Sequence, residues 1–346
     1  MAHGARPNEP KKQNSRQTGT NGGRGAAAAR RPNPARSGNP ATKAGVGPGP
    51  VRTGPATVGD WISGARLRTL PLAIAPVLLG TGAAVVAAGD GEFHWVRALL
   101  ALVVAVSLQI GVNYANDYSD GIRGTDSHRV GPARLTGGGA AKPRAVLTVA
   151  LVFFGLAAAA GLVLVVVSQH WWLLIVGALA IVAAWFYTGG KKPYGYLGLG
   201  ELFVFVFFGL VATTGTTYVQ VGTVNLESWL SAVAIGLMAC AVLMVNNLRD
   251  IEPDKVAGKR TLSVWIGARA SRVAFCLLLL LPFLVAGFFA LFYPIAWLVF
   301  FVLLLALPAC LIVATATTAK ELILALKLTS MAALLYGILL GLAFAL

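Results

Sequence analysis

Nine long apolar runs dominate this sequence and restrict the folds that are open to it. Each run has roughly 18–25 residues, the length that an α-helix needs to cross the hydrocarbon core of a bilayer. Only 12% of the 346 residues are charged, about half the proportion found in soluble domains, and the mean hydropathy is +0.73. We therefore predict an all-α membrane protein with nine transmembrane helices, at about residues 69–88, 95–116, 145–168, 171–188, 198–220, 226–248, 270–291, 294–316 and 328–346.

The first 52 residues have a different composition from the rest of the chain. They are rich in Pro, Gly, Ala, Asn and Arg, and they hold ten Lys or Arg but one acid, Glu9. A segment with so few large apolar residues cannot bury enough surface to fold. We predict a disordered, basic cytoplasmic tail over 1–52, with charge that suits anionic lipid headgroups, followed by one transmembrane domain over 53–346. The basic tail and loops explain the high isoelectric point without a nucleic-acid-binding domain.

The distribution of positive charge orients the predicted spans. The loops 117–144, 189–197, 249–272 and 317–328, with the segment before the first span, hold 17 of the 18 Lys and Arg outside the tail, whereas the alternate loops hold only Arg97. Positively charged loops face the cytoplasm. We therefore predict a multi-pass protein of the cell membrane with a cytoplasmic N-terminus and, after nine spans, an extracytoplasmic C-terminus.

Acidic residues cluster at the predicted cytoplasmic end of the second span, in the sequence N-Y-A-N-D-Y-S-D-G-I-R-G-T-D (113–126). Asn113, Asp117 and Asp120 are spaced i, i+4, i+7, which places them on one face of a helix. Ionisable residues beside a membrane span indicate a functional site. Hard oxygen ligands of this kind suit Mg²⁺, which commonly binds one or two carboxylates together with substrate phosphates. The alternative is an acidic loop exposed to solvent.

A second polar sequence, N-N-L-R-D-I-E-P-D-K-V-A-G-K-R-T-L (246–262), follows the sixth span on the same predicted side of the membrane. Asn246, Asp250 and Asp254 are spaced i, i+4, i+8, and we expect them to share one helical face. A lysine pair beginning at Lys191 lies on the same side, in Y-T-G-G-K-K-P-Y-G-Y. Two acidic faces that bind Mg²⁺, with cations beside them, predict a diphosphate site.

Together with A-R-L-R-T-L-P-L-A-I-A-P-V-L-L-G (65–80) and R-V-G-P-A-R-L (129–135), these motifs resemble the UbiA superfamily of intramembrane aromatic prenyltransferases, and within it the menaquinone branch. The resemblance covers about residues 59–346. It implies a UbiA-type bundle of nine transmembrane helices with a cytoplasmic-side active site. It also implies Mg²⁺-dependent transfer of a polyprenyl group from a polyprenyl diphosphate to 1,4-dihydroxy-2-naphthoate, with loss of CO2 and diphosphate, to give demethylmenaquinol.

The resemblance also implies roles for individual residues. The expected catalytic and metal-binding carboxylates are Asp117, Asp120, Asp250 and Asp254, and Tyr187 is expected near the allylic carbon. The expected substrate-binding residues are Asn113, Asn116, Arg123, Asp126, Lys191, Asn246, Arg66 and Arg68, of which the last two would bind the carboxylate of the aromatic acid. Glu201, which follows the lysine pair near the membrane surface, is a further candidate.

Other functional interpretations match the sequence less well. A CDP-alcohol phosphotransferase needs D-x-x-D-G-x-x-A-R followed by G-x-x-x-D-x-x-x-D, and D-Y-S-D-G-I-R-G matches only the first five positions. A transporter predicts ionisable residues in the middle of its spans, and the third, seventh, eighth and ninth spans have none there. Other UbiA branches, with 4-hydroxybenzoate or haem as the acceptor, remain open.

Overall fold

The structure, a computed structural model, describes residues 54–89, 94–125 and 134–346. These residues are nearly all helical and contain no strand. The predicted tail 1–52 and the candidate residue Asp126 lie outside the described residues. The helices are α1 (Val58–Gly64), α2 (Pro71–Ala88), α3 (Trp95–Arg123), α4 (Pro143–Ser168), α5 (Leu173–Phe186), α6 (Gly200–Val221), α7 (Leu226–Arg249), α8 (Ile251–Val256), α9 (Leu262–Ala290), α10 (Pro294–Thr315) and α11 (Ala319–Ala345).

Eight of the described helices are long and apolar enough to cross a membrane, namely α2, α3, α4, α6, α7, α9, α10 and α11. The predicted fourth span corresponds to α5, an apolar helix of only 14 residues. At 1.5 Å per residue it is about 21 Å long, shorter than the bilayer core of about 30 Å. The all-α membrane architecture is confirmed, whereas the count of nine crossings stays a prediction.

The helices pack with their small residues inside and many large apolar residues outside. The main buried cluster lies among α2, α7, α9, α10 and α11. Glycines let α2 and α11 approach closely, because a Cβ atom on Gly82 would lie 2.3 Å from the carbonyl oxygen of Gly341. Leu284 and Leu304 are 71% and 72% exposed on the outer surface, as expected for side chains that face lipid.

Asn113, Asp117 and Asp120 of the first polar motif lie on one continuous helix, as predicted. Helix α3 extends beyond its apolar run to Arg123 and ends at Gly124, whose φ of +70° is a common helix-terminating conformation. Asn113, Asp117 and Asp120 are all buried on this helix.

The second polar motif is divided between two helices, so the prediction of one helical face was wrong. Helix α7 ends at Arg249, Asp250 has φ −100° and ψ 10°, and α8 begins at Ile251. The cause is Pro253, which has no N–H to donate and whose ring would clash with the carbonyl of Arg249 in a continuous helix. Asp254 therefore lies in the short helix α8, beyond the break.

Candidate active site

Asp117 fixes the segment 134–141 across the end of α3. Its two carboxylate oxygens accept hydrogen bonds from the backbone N–H groups of Leu135 (3.0 Å) and Thr136 (2.8 Å). These are charge-assisted bonds in a buried position, where they are stronger than bonds between neutral groups. Asp117 thereby positions Arg134, the first residue of this segment, beside the other acidic residues.

Asp120 is the point at which three distant parts of the chain meet. Its Oδ1 accepts a hydrogen bond from the Tyr196 hydroxyl at 2.5 Å, and its Oδ2 lies 3.2 Å from the Lys259 ammonium. The Arg134 guanidinium lies 4.0 Å from the same oxygen. Burial, followed by the negative charge of Asp120, raises the pKa of Tyr196. Tyr196 therefore keeps its proton and remains a hydrogen-bond donor at neutral pH.

The two asparagines of the first motif connect α3 to neighbouring segments. The Asn113 side-chain amide donates to the backbone oxygen of Ala65 at 2.9 Å, next to Arg66. The Asn116 side-chain oxygen accepts a hydrogen bond of 2.7 Å from the Thr188 hydroxyl, just beyond Tyr187. These buried bonds hold Arg66 and Tyr187 against the same face of α3.

The second motif is organised by an arginine that we did not predict as a site residue. Arg249 donates two hydrogen bonds to the carboxylate of Asp250, at 2.7 and 2.6 Å, and a third of 2.9 Å to the Asn246 side-chain oxygen. A guanidinium matches a carboxylate in this two-bond arrangement. The two hydrogen bonds from Arg249 therefore hold the Asp250 carboxylate in a fixed orientation at the helix break.

The two acidic motifs face each other across a small polar cavity of about 60 Å³. Three carboxylates and three cationic side chains line it. They are Asp120, Asp250 and Asp254, with Arg66, Arg134 and Lys259. Such a mixture is suited to a polyanion that arrives with a cation, because each charge has a partner of opposite sign nearby.

A larger, mainly apolar cavity of about 580 Å³ adjoins the polar one. Its apolar wall is formed by residues such as Val77, Ala101, Leu164 and Val219. The two cavities share five lining residues, which mark where they meet: Arg66, Asn116, Arg134, Tyr187 and Asn246. Arg68, Asn113 and Asp117 line only the larger cavity. A ligand with a charged head and an apolar chain would find both environments here.

Two candidate cations do not line either cavity in the described part of the chain. Lys191 is exposed in the turn after α5. Arg123 donates hydrogen bonds to the backbone oxygens of Thr188 and Gly190. Arg123 thus supports the loop that carries Tyr196, and its role in substrate binding stays a prediction.

Sequence reasoning missed Lys259, Arg134, Tyr196, Arg249 and Asn247 as site residues. Each lies in a stretch that had already been singled out, but none shares the Asn-x-x-x-Asp spacing that selected the candidates. Contact with another part of the chain distinguishes four of them, whereas Arg249 contacts Asn246 and Asp250 of its own motif. Glu201, a further candidate, is buried and accepts a hydrogen bond of 3.0 Å from Asn247, which lines the polar cavity.

In the described part of the chain, the acidic residues do not form a cluster of three metal ligands by themselves. Among the described residues, no three His, Cys, Asp or Glu side chains are grouped closely enough to hold a metal ion. Asp120, Asp250 and Asp254 nevertheless line one cavity with amide oxygens beside them. This set of hard oxygen donors fits a Mg²⁺ ion that takes its remaining ligands from phosphate and water.

Comparisons with known proteins show the family of this chain. Residues 73–322 match the model of the UbiA prenyltransferase family. A 1,4-dihydroxy-2-naphthoate octaprenyltransferase of Mycobacterium tuberculosis is 50% identical over 257 residues, which cover 74% of this chain and 82% of that protein. The protein with the same description from Escherichia coli is 40% identical over 226 residues, covering 63% of this chain and 72% of that protein.

Solved structures support the same fold. A UbiA homologue from Aeropyrum pernix superposes with a TM-score of 0.59 at 16% identity, covering 79% of this chain and 96% of that one. A homologue from Archaeoglobus fulgidus bound to GPP and Mg²⁺ gives a TM-score of 0.53 at 15% identity, covering 80% and 99%. Because the family model spans most of the chain and the acidic motifs it carries meet in one cavity, this protein belongs to the UbiA prenyltransferase family.

Proposed function

We propose that this protein transfers a polyprenyl group from an allylic polyprenyl diphosphate to 1,4-dihydroxy-2-naphthoate and thereby serves menaquinone biosynthesis. The two relatives described above carry this activity in their names, at 50% and 40% identity. The structural observation that carries the proposal is the junction of the two cavities. A polar cavity lined by carboxylates and cations suits a diphosphate, and the adjoining apolar cavity suits an isoprenoid chain.

Asp120, Asp250 and Asp254 are the residues that would hold Mg²⁺, with Asn246 beside them. The ion, when bound, neutralises negative charge on the diphosphate and so makes it a better leaving group. The Mg²⁺ of the Archaeoglobus structure is consistent with a divalent ion in this family.

Cationic side chains act on the same leaving group. Arg66, Arg134 and Lys259 line the polar cavity and would stabilise the charge that grows on the diphosphate as the carbon–oxygen bond breaks. Tyr187 lines both cavities, which supports its proposed role beside the allylic carbon. The apolar wall keeps water away from the allylic cation and thus prevents its hydrolysis.

The bond changes balance without an added oxidant or base. The allylic carbon–oxygen bond breaks, and its electron pair leaves with the diphosphate. The naphthoate carbon that bears the carboxylate then bonds to the allylic carbon. The bond to the carboxylate breaks, its electron pair restores the aromatic ring, and CO2 departs. The product is demethylmenaquinol.

The proposal extends to the location and orientation of the protein in the membrane. The apolar helices make it a multi-pass membrane protein. We further propose that it lies in the cell membrane, with the N-terminus and the site on the cytoplasmic side and the C-terminus on the other. Residues 53–346 form the catalytic domain in this proposal, and the lipid bilayer supplies the polyprenyl substrate.

A direct assay tests the reaction. Membranes containing the protein are incubated with Mg²⁺, a labelled polyprenyl diphosphate and, separately, 1,4-dihydroxy-2-naphthoate or 4-hydroxybenzoate. We expect a prenylated product and CO2 release with the naphthoate only, and no product when EDTA removes the metal. Prenylation of 4-hydroxybenzoate alone would contradict the acceptor assignment, and the absence of any prenylated product would contradict the reaction.

A further inference from the structure

Gln109 extends the polar face of α3 one turn deeper into the membrane than the predicted motif. It lies four residues before Asn113, so the two side chains share a helix face. The side chain is only 7% exposed and lines the large cavity, within a run that is otherwise mostly apolar. A polar side chain at such a position is costly and indicates a functional contact.

A short chain of hydrogen bonds fixes the orientation of the Gln109 amide. The Thr69 hydroxyl donates its only hydrogen to the backbone oxygen of Arg66 at 3.0 Å. The Thr69 oxygen must therefore act as the acceptor toward Gln109, and the Gln109 Nε2 donates to it at 3.1 Å. This arrangement turns the carbonyl oxygen, Oε1, away from Thr69.

The Gln109 Oε1 is left as an acceptor on the cavity wall. Within 54–89, 94–125 and 134–346, no donor pairs with it, and the atom is not enclosed by protein. An apolar chain lying against it would leave it desolvated and unpaired, which is unfavourable. A ligand with a hydroxyl group at this point satisfies it.

We propose that the Gln109 Oε1 accepts a hydrogen bond from the 4-hydroxyl of the aromatic acceptor and thereby selects for it. This inference rests on the function proposed above. The 1-hydroxyl of the naphthoate is ortho to the carboxylate and donates to it internally, so the 4-hydroxyl is the group that requires a protein acceptor. Arg66 and Arg68, which flank the same hydrogen-bonded chain, line the cavity where the carboxylate would bind.

The depth of Gln109 suits this position. It lies eight residues before Asp117 on the same helix, which corresponds to about 12 Å along the axis. The acceptor ring would then lie between the diphosphate end of the cavity and the apolar end. Because the hydrogen bond serves binding rather than bond breaking, Gln109 is a specificity-determining residue.

Direct binding measurements test the inference without turnover. The Kd values of 4-hydroxy-2-naphthoate and 2-naphthoate, which differ only in the hydroxyl, are measured on purified full-length protein. We expect the wild type to favour the hydroxylated ligand roughly 3- to 10-fold, the range for one neutral hydrogen bond. Gln109→Met, which keeps the size but removes the acceptor, should reduce this ratio to about 1, while the Kd for polyprenyl diphosphate, measured without the aromatic acceptor, stays within about 2-fold of the wild type.

Gln220→Met is the matched control. Gln220 is also a buried glutamine whose amide donates to a threonine of α2, Thr81, at 3.2 Å, but it lines neither cavity. The preference for the hydroxylated ligand should survive this change. Equal affinities in the wild type, or an unchanged ratio in Gln109→Met, would overturn the inference. Since these are binding ratios, they are independent of the assay that tests the proposed reaction.

Discussion

The Lys259 ammonium lies 3.2 Å from the Asp120 carboxylate and so joins residues that are 139 positions apart in the sequence. Asp120 belongs to the first acidic motif, and Lys259 lies in the second, after Asp254. The contact draws the two motifs together around the polar cavity and leaves a cation where a diphosphate would bind. A diphosphate that binds together with Mg²⁺ would have both the Asp120 carboxylate and the Lys259 ammonium beside it.

The carboxylate of Asp120 should be essential for turnover. Asp120→Asn keeps the size and a hydrogen-bonding oxygen but removes the charge that would hold the metal, so we expect kcat to fall roughly 100-fold or more. Prenyl transfer in purified membranes measures the change. Glu252→Gln is the control, because Glu252 is exposed and pairs with Lys255 on the surface. A near-normal rate for Asp120→Asn would contradict the acidic site.

Lys259 should contribute to diphosphate stabilisation. Lys259→Met retains the apolar stem but removes the charge, and we expect kcat/KM for the polyprenyl diphosphate to fall roughly 10- to 100-fold. Lys255→Met is a control of the same type four residues away, at an exposed surface position. If both variants lose activity equally, the loss reflects the charge of the loop and not the contact with Asp120.

Two neighbouring arginines should differ in the substrate they affect. Arg68 lines only the large cavity, whereas Arg66 lines both. A lysine cannot reproduce the two parallel hydrogen bonds of a guanidinium. We therefore expect Arg68→Lys to raise the KM for the naphthoate by an amount corresponding to about 1.5–3 kcal/mol, with little change for the polyprenyl diphosphate. Arg66→Lys should raise the KM for both substrates. Steady-state kinetics with each substrate varied in turn would separate the two patterns.

Arg97 should stabilise the end of the bundle opposite the polar cavity. Its guanidinium donates to the backbone oxygens of Val219 at 3.0 Å, Gln220 at 3.3 Å and Val167 at 3.1 Å, near the ends of α6 and α4. Arg97→Leu should lower the unfolding free energy by about 2–3 kcal/mol, because the part-buried carbonyls of Val219 and Gln220 lose a charged donor. Thermal unfolding in detergent measures this loss. Arg144→Leu, at an exposed position, should leave the Tm unchanged.

Cysteine labelling should place the loops around the site on one side of the membrane. Lys192 and Lys255 are exposed near the polar cavity, whereas Leu291 is 73% exposed at the other end of α9. In a background without native cysteines, single cysteines at the first two positions should react with an impermeant reagent from the cytoplasmic side only. A cysteine at 291 should react from the opposite side. Labelling of the first two from different sides would contradict a shared site.

Much of the fold and half of the site follow from local properties of the sequence. The apolar runs determine membrane-length helices because only a helix satisfies its own backbone hydrogen bonds in lipid. Asn113, Asp117 and Asp120 share one face because their spacing matches the helical repeat and α3 continues through all three without interruption. The helix break at Asp250 also follows from a local property of the sequence, because Pro253 cannot continue the helix.

What only the tertiary structure decided is which polar groups meet. The spacing within a motif could not show that Tyr196 and Lys259 would both reach Asp120, because their separation in the chain carries no information about packing between helices. Nor could it show that Arg123 would bind backbone carbonyls instead of lining a cavity. Gln109 belongs to the same class: its position one turn below Asn113 was visible in the sequence, but its open acceptor depends on a hydroxyl 40 residues away. Helical register is a local property of the chain, whereas the partner of each side chain depends on how the helices pack.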